Sequence, residues 1–291
     1  MPHPMKCLQD TKIVSLALNA PGPAAAMRLV RMGAECIKIE PPSGDLLKSA
    51  APAWYAELIE NQKVVSLDLK TAVGREQLHH FLSHANLLLT SFRPSALQRL
   101  GVDWETLHAK YPRLCMVSII GYPVPEQEVP GHDLTYQAKL GLLQPPEMPV
   151  TLHADMAGAE RCVSAALELL LHFARTGEAG HMYVSLYQAL QDFTGPLTAG
   201  LTAPGGMLRG GFAFYSIYEA ADGWIAMGAL EPVFVKKLVA ELQLASLLRD
   251  DPRKELEQIF RTRKAAEWEQ WARDRDLPIV EIKNLTTDEH R

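Results

Sequence analysis

Cysteine is scarce here: Cys7, Cys36, Cys115 and Cys162 lie far apart and never in a Cys-x-x-Cys spacing. That excludes a disulfide framework and a thiolate zinc site, and it fits a reducing cytoplasm where buried thiols act as small apolar groups. Long apolar runs are missing too. Lys6 and Asp10 precede only a short one, Ile13 to Leu18, so neither a cleaved signal nor a bilayer-spanning segment is expected. Charge of one sign is not in surplus: 29 Lys and Arg against 34 Asp and Glu leave −5, with no nucleic-acid footprint. The expectation is a cytoplasmic protein with neither nucleic acid nor membrane as a partner.

Several motifs are absent. No Gly-x-Ser-x-Gly elbow supports a serine hydrolase, and no Walker or Gly-x-Gly-x-x-Gly loop cradles a phosphate. His79, His80 and His84 include an i, i+4 pair without an acidic helper, so a solvated helix face is expected and no metal. No internal repeat or low-complexity segment appears.

What is present is an ordinary globular composition, 47% hydrophobic and 22% charged over 291 residues, enough for one large domain or two of moderate size. The first third alternates strand and helix signals. Lys12 to Leu18 reads as a buried strand, Asn19 to Pro23 as a turn, Ala24 to Met32 as a helix ended by Gly33, and Glu35 to Glu40 as the next strand. Val64–Leu69, Asn86–Thr90 and Leu114–Ile120 are further strands, with helices at Gly74–Ser83 and Trp104–Lys110. Near-continuous apolar strands separated by helices predict an α/β fold with a parallel sheet covered on both faces. Asp155 to Thr176 is a long amphipathic helix. Residues 195–211, rich in Gly, Pro and Thr, read as a linker. Beyond it, strands at Phe212–Tyr218 and Trp224–Met227 flank an Asp222-Gly223 turn, and helices follow at Val233–Leu242 and Ala265–Arg273. The predicted domains are therefore 1–194, large and α/β, and 212–291, small and α+β.

Three residues carry the chemistry, each with a plainer explanation beside it. His132, in Pro130-Gly131-His132-Asp133, suits a general base because its free pKa lies near working pH; it equally suits a helix entry capped by Asp133. Asp155 is placed to cap the helix that follows, which would also keep it ionised. Glu231 sits before a proline at a strand-to-helix junction, where a carboxylate is commonly a solvated cap. Arg93 and Arg99 offer two guanidinium groups near a loop and helix start, suited to phosphate oxygens but ordinary on a solvated surface.

Taken in order, these segments resemble the family III CoA-transferases, and within them the α-methylacyl-CoA racemase branch. The resemblance rests on Pro21-Gly22-Pro23 with Met32 to Pro42, Val65 to Lys70, Phe92-Arg93-Pro94, Arg99-Leu100-Gly101, Gly131 to Tyr136, Ala154 to Gly158, Met207 to Gly211, Tyr215 to Gly223, and Gly228 to Phe234. It implies a large Rossmann-like CoA-binding domain, a small domain, an active site between them, and a homodimer of interlocked subunits. It implies no permanently bound cofactor; coenzyme A arrives as part of the acyl-CoA substrate. His132 and Asp155 match the proton-transfer pair and Glu231 a supporting carboxylate. Ser66, Leu67, Asp68, Leu69 and Lys70 match CoA-contacting segments, as do Gly131, Asp133, Leu134, Thr135 and Tyr136. Arg93 joins this set, and Arg99 matches a basic residue near the phosphates.

Inverting a carbon α to a thioester needs a base on each face of a planar enolate, which assigns Asp155 to one side and His132, backed by Glu231, to the other. Backbone N–H groups after Asp155 would face the developing oxyanion. A transferase would instead use Asp155 as a covalent nucleophile; the Gly-His-Asp and Gly-Ala-Leu-Glu-Pro segments favour the racemase. A third reading is a shortened homologue that binds CoA without turnover. It is prompted by the departures from the pattern. The sequence stops at Arg291, where the family's chains return to the large domain, which bears on the interlocked dimer. Pro41 stands where racemases show arginine. Ala159 and Glu160 stand where glycines often follow the aspartate, and Glu160 is expected to raise a neighbouring carboxyl's pKa. Arg209 replaces an acidic residue.

Overall fold

The computed structural model describes residues 6–245 and 251–283. The chain forms two compact units that meet between Phe193 and Thr194. The outer bounds of the predicted domains, 1 and 291, lie outside the described residues.

In the first unit, strands β1 (Lys12–Ser15), β2 (Glu35–Glu40), β3 (Lys63–Ser66), β4 (Leu87–Thr90), β5 (Cys115–Ile120) and β6 (His181–Ser185) form one sheet in the order β3-β2-β1-β4-β5-β6. Every pairing in it is parallel. The helices between are α1 (Pro21–Arg31), α2 (Leu47–Ala50), α3 (Pro52–Leu58), α4 (Ala72–Leu82), α5 (Pro94–Leu100), α6 (Trp104–Lys110), α7 (Asp133–Lys139), α8 (His153–Thr176) and α9 (Leu186–Asp192).

The apolar runs of these strands follow from burial on both faces. Ile13, Leu87 and Cys115 pack into a core with α1, α8 and α9, while Val14, Leu88 and Met116, one residue along, pack into another with α4, α5 and α6. Small residues let α8 lie close to α1 and the sheet: Ala154, Gly158, Ala159, Cys162, Ala165 and Ala166 are all buried along it. Gly158 is needed there because a Cβ would run into Leu186. The strand order reverses between β1 and β4, and in doubly wound sheets a ligand crevice opens at that point, outside the carboxyl ends of the strands.

The second unit begins with α10 (Gly195–Thr198) and an irregular, kinked turn at Met207–Gly211, in which Arg209 and Gly210 leave helical backbone geometry, both within the stretch read as a linker. Strands β7 (Tyr215–Glu219), β8 (Trp224–Gly228) and β9 (Ile279–Glu281) make an antiparallel sheet, joined by α11 (Pro232–Leu242), α12 (Arg253–Phe260) and α13 (Ala265–Arg273). Its core gathers Phe214, Tyr218, Ile225, Leu238, Leu256, Phe260 and Trp268, with the Trp268 indole N–H donating to the Phe260 carbonyl at 2.8 Å. The predicted pairing of an α/β domain with a smaller α+β one holds. Among the described residues, no helix is long and apolar enough to cross a membrane.

Candidate active site

A cavity of about 240 Å³ opens at the carboxyl ends of β1, β4 and β5. Its first wall is the β1–α1 turn, Leu18, Asn19 and Pro21. Asn19 adopts a left-handed backbone, φ 64°, which asparagine tolerates better than most residues. Both carboxylate oxygens of Asp45 accept the Asn19 N–H at 3.2 Å. Asp45 is held in turn by the buried Lys38 ammonium, whose Nζ donates to it at 2.7 Å and also to Glu40. Tyr55 donates its hydroxyl to Glu40 at 2.7 Å, completing the network. Burial alone would raise the Glu40 carboxyl, but hydrogen bonds from Lys38 and Tyr55 hold it below its ordinary value.

Ser91 and Arg93 follow β4, and Ile119, Ile120 and Gly121 end β5. Gln127, Val129, Pro130, Gly131 and His132 come from the loop before α7 and its cap; Tyr136, Asp155 and Leu186 complete the lining.

His132 and Asp155 thus line one cavity. His132 is the N-cap of α7: its backbone N–H donates to Thr135 Oγ1 at 3.0 Å, and its imidazole makes no capping bond. Asp155 stands in the first turn of α8 but is not its cap, contrary to the sequence expectation, because the helix begins at His153. The cap comes from Asp133, whose Oδ1 accepts the N–H of Ala154 at 2.6 Å and of Asp155 at 3.2 Å. Asp133 therefore serves α8 rather than its own helix, and its Oδ2 accepts from the Gln137 amide.

The Asp155 carboxyl is pushed up to about 7, chiefly by burial and then by the charge of Asp133. The charge beside it is not Glu160, as the sequence suggested; that side chain pairs with Arg28.

A second, mostly apolar cavity of about 180 Å³ lies beyond the ends of β2 and β3. Leu67, Asp68, Leu69 and Lys70 line it with Leu16, Ile39, Glu40, Pro41, Pro42, Phe92 and Leu100. The two cavities share the segments that follow β1 and β4, since Leu16 and Phe92 face one while Leu18, Ser91 and Arg93 face the other.

The proposed CoA-binding residues divide accordingly. Leu67 to Lys70 line the second cavity, Arg93, Gly131 and Tyr136 line the first, and Ser66, Arg99, Asp133, Leu134 and Thr135 line neither. Glu231 belongs to the second unit, where it is the exposed N-cap of α11. Among the described residues, no group of three or more His, Cys, Asp and Glu side chains is placed to hold a metal.

Sequence reasoning missed Gln127, whose buried Oε1 has no partner among the described residues. It also missed Glu128, whose carboxylate accepts the Ser95 N–H and hydroxyl at 2.8 and 2.9 Å. Those bonds, followed by the charges of Arg93 and Arg99, hold Glu128 below the ordinary carboxylate range. Neither residue carries a local signal, because each is defined by what a loop reaches. The left-handed Asn19 offered one, an Asn at a strand end before a helix.

The model for CoA-transferase family III matches residues 8–289. The cinnamoyl-CoA:phenyllactate CoA-transferase of Clostridium sporogenes is 30% identical, over 92% of this chain and 76% of that one. The human α-methylacyl-CoA racemase is 28% identical, over 97% of this chain and 80% of its own length. In three dimensions the first match is a Mycobacterium tuberculosis crystal structure (TM-score 0.85, 24% identity, 97% of this chain and 87% of that one). A CaiB/BaiF family protein from Brucella suis has a TM-score of 0.81 at 23% identity, covering 96% of this chain and 84% of that one. With a family model spanning almost every residue and a fold that agrees with it, the chain belongs to CoA-transferase family III.

Proposed function

We propose that this protein is an acyl-CoA racemase or epimerase that inverts the α-carbon of a 2-methylacyl-CoA thioester by two-base proton transfer. The observation that carries the reading is the sharing of one cavity by His132 and Asp155, with the Asp155 carboxyl poised about 7. A base poised near working pH is ionised often enough to take a proton and basic enough to hold it. One residue removes the α-proton while the other returns a proton to the opposite face. The coenzyme's nucleotide end is assigned to the cavity of Leu67 to Lys70, whose apolar walls suit a flat ring.

A CoA-transferase is the second reading, supported by the names of relatives such as the phenyllactate enzyme at 30% identity. There Asp155 attacks the thioester carbonyl, forming an acyl anhydride as the C–S bond breaks and CoA leaves as thiolate.

One experiment separates them. A panel of 2-methylacyl-CoA thioesters is incubated in deuterated water with no acceptor acid. The racemase reading expects α-deuterium incorporation with inversion, lost in His132→Ala and Asp155→Ala. Transfer of CoA between two carboxylic acids, abolished by Asp155→Ala but tolerant of His132→Ala, would replace it with the transferase.

A further inference from the structure

Tyr136 lies on α7 with 1% of its surface exposed, yet it lines the same cavity as Asp155. Its ring stands edge-on to Tyr122, with centroids 5.1 Å apart. Gly121 and Gly131, both of which also line the cavity, leave the room it needs: a Cβ added at either would collide with the phenol or its ring. Among the described residues the Tyr136 hydroxyl has no hydrogen-bond partner, whereas Tyr55 and Tyr218 each donate to a fixed acceptor. A phenol that opens onto a cavity with no protein acceptor in reach is left to donate its proton to whatever the cavity holds.

The charge state suits a donor. Burial pushes the phenol up to about 12, and the charges of Tyr122 and Asp155 act in the same direction against Arg93. At neutral pH the oxygen therefore keeps its proton.

We propose that the Tyr136 hydroxyl donates a hydrogen bond to the carbonyl oxygen of the bound thioester, where negative charge gathers during reaction. This rests on reading the site as an acyl-CoA site, but not on choosing between racemase and transferase. In proton abstraction, the α C–H electron pair moves into the C–C bond and the carbonyl pair onto oxygen. The proton goes to the base, and Tyr136 keeps its own proton while sharing it with the enolate oxygen. In acyl transfer, the same bond would meet the tetrahedral oxyanion. A neutral donor in a buried site stabilises such charge without taking part in the proton ledger.

The test uses Tyr136→Phe, which preserves the ring that Gly121 and Gly131 enclose. The exchange rate should fall on the order of 100- to 1,000-fold, the loss typical of one oxyanion donor, with KM nearly unchanged. A second reading uses acetoacetyl-CoA, whose enolate absorbs in the near ultraviolet. Wild-type protein should raise the enolate fraction of the bound ligand, and Tyr136→Phe should abolish that rise while still binding CoA. If Tyr136→Phe fails to fold, 3,5-difluorotyrosine at position 136, a more acidic phenol of nearly the same shape, should increase the enolate fraction. An unchanged rate and enolate band in the Phe variant, an unmoved band with the fluorinated residue, or no enolate on the wild type would each overturn the proposal. No deuterium exchange by the wild type, with a Tyr136-dependent enolate band intact, would remove the racemase reading and leave this one standing.

Discussion

Asp133 Oδ1 accepts the backbone N–H of Asp155 at 3.2 Å, across 22 positions of sequence. The residue after the candidate base thereby fixes the turn that carries the other. It also places a second carboxyl near Asp155, whose own pKa rises to about 7 through burial first and the Asp133 charge second.

The pH–rate profile should report this arrangement. If ionised Asp155 is the base, the rate rises as pH passes about 7 and levels off above it. Asp133→Asn keeps an oxygen that accepts both N–H groups but removes the charge. The acidic limb should move to lower pH, because one cause of the raised pKa is gone while burial remains. A limb that stays in place or moves up would show that Asp133 does not act on Asp155 through charge.

Stability should run opposite to activity at the same residue. The folded carboxyl, at about 7, lies above its ordinary 3.8, so the fold favours the protonated form. That contribution is full in acid below the unfolded value, and it is lost as pH rises through the folded one. Above it the folded state carries a buried charge, at a cost of at most roughly 4 kcal/mol. Asp155→Asn should therefore be inactive yet harder to unfold at mildly alkaline pH, by about 1–4 kcal/mol, with the difference vanishing in acid. Denaturant titrations at several pH values measure it. Equal stability at every pH would show that the carboxyl is not desolvated as described.

Much of the frame was legible because burial leaves a mark on composition. Glu35–Glu40, Trp104–Lys110 and Ala265–Arg273 read from sequence with the bounds the structure gives them. Strand β6 did not, because His181 and Tyr183 interrupt it: its His181 ring stacks on Trp104 and its imidazole meets Ser118, so it carries no apolar run. Strand β9 has three residues, too few for a period. At the site, His132 and Asp155 were visible as residue types in a familiar order, but the shape of the cavity they line was not, because it depends on where β5 ends and α8 begins. Asp155 looked like a cap, whereas the true cap, Asp133, acts over a distance that no local pattern records.

The Lys38 network makes a separate prediction about the β1–α1 turn. Lys38 and Asp45 have side chains 1% and 0% exposed, and Asp45 holds Asn19 at the cavity wall. Lys38→Met leaves two buried carboxylates without their counter-charge, which should destabilise the protein by about 3–5 kcal/mol. Chemical unfolding would measure it, and a loss no larger than that of an exposed ion pair, about 1 kcal/mol or less, would refute the role assigned to this lysine.

The cavity proposed for the nucleotide predicts a separation of binding from chemistry. Leu69 lines it with Phe92 and Leu100, away from the residues around Asp155. Leu69→Asp puts a carboxylate where a flat ring is assigned, so CoA should bind at least about tenfold more weakly and KM rise, with kcat little changed. The control is a pantetheine thioester of the same acyl group, which lacks the nucleotide. Wild type and variant should turn it over equally, because neither gains from the cavity. If the variant is impaired equally on both thioesters, the cavity does not hold the nucleotide, and Leu67 to Lys70 act on the fold alone.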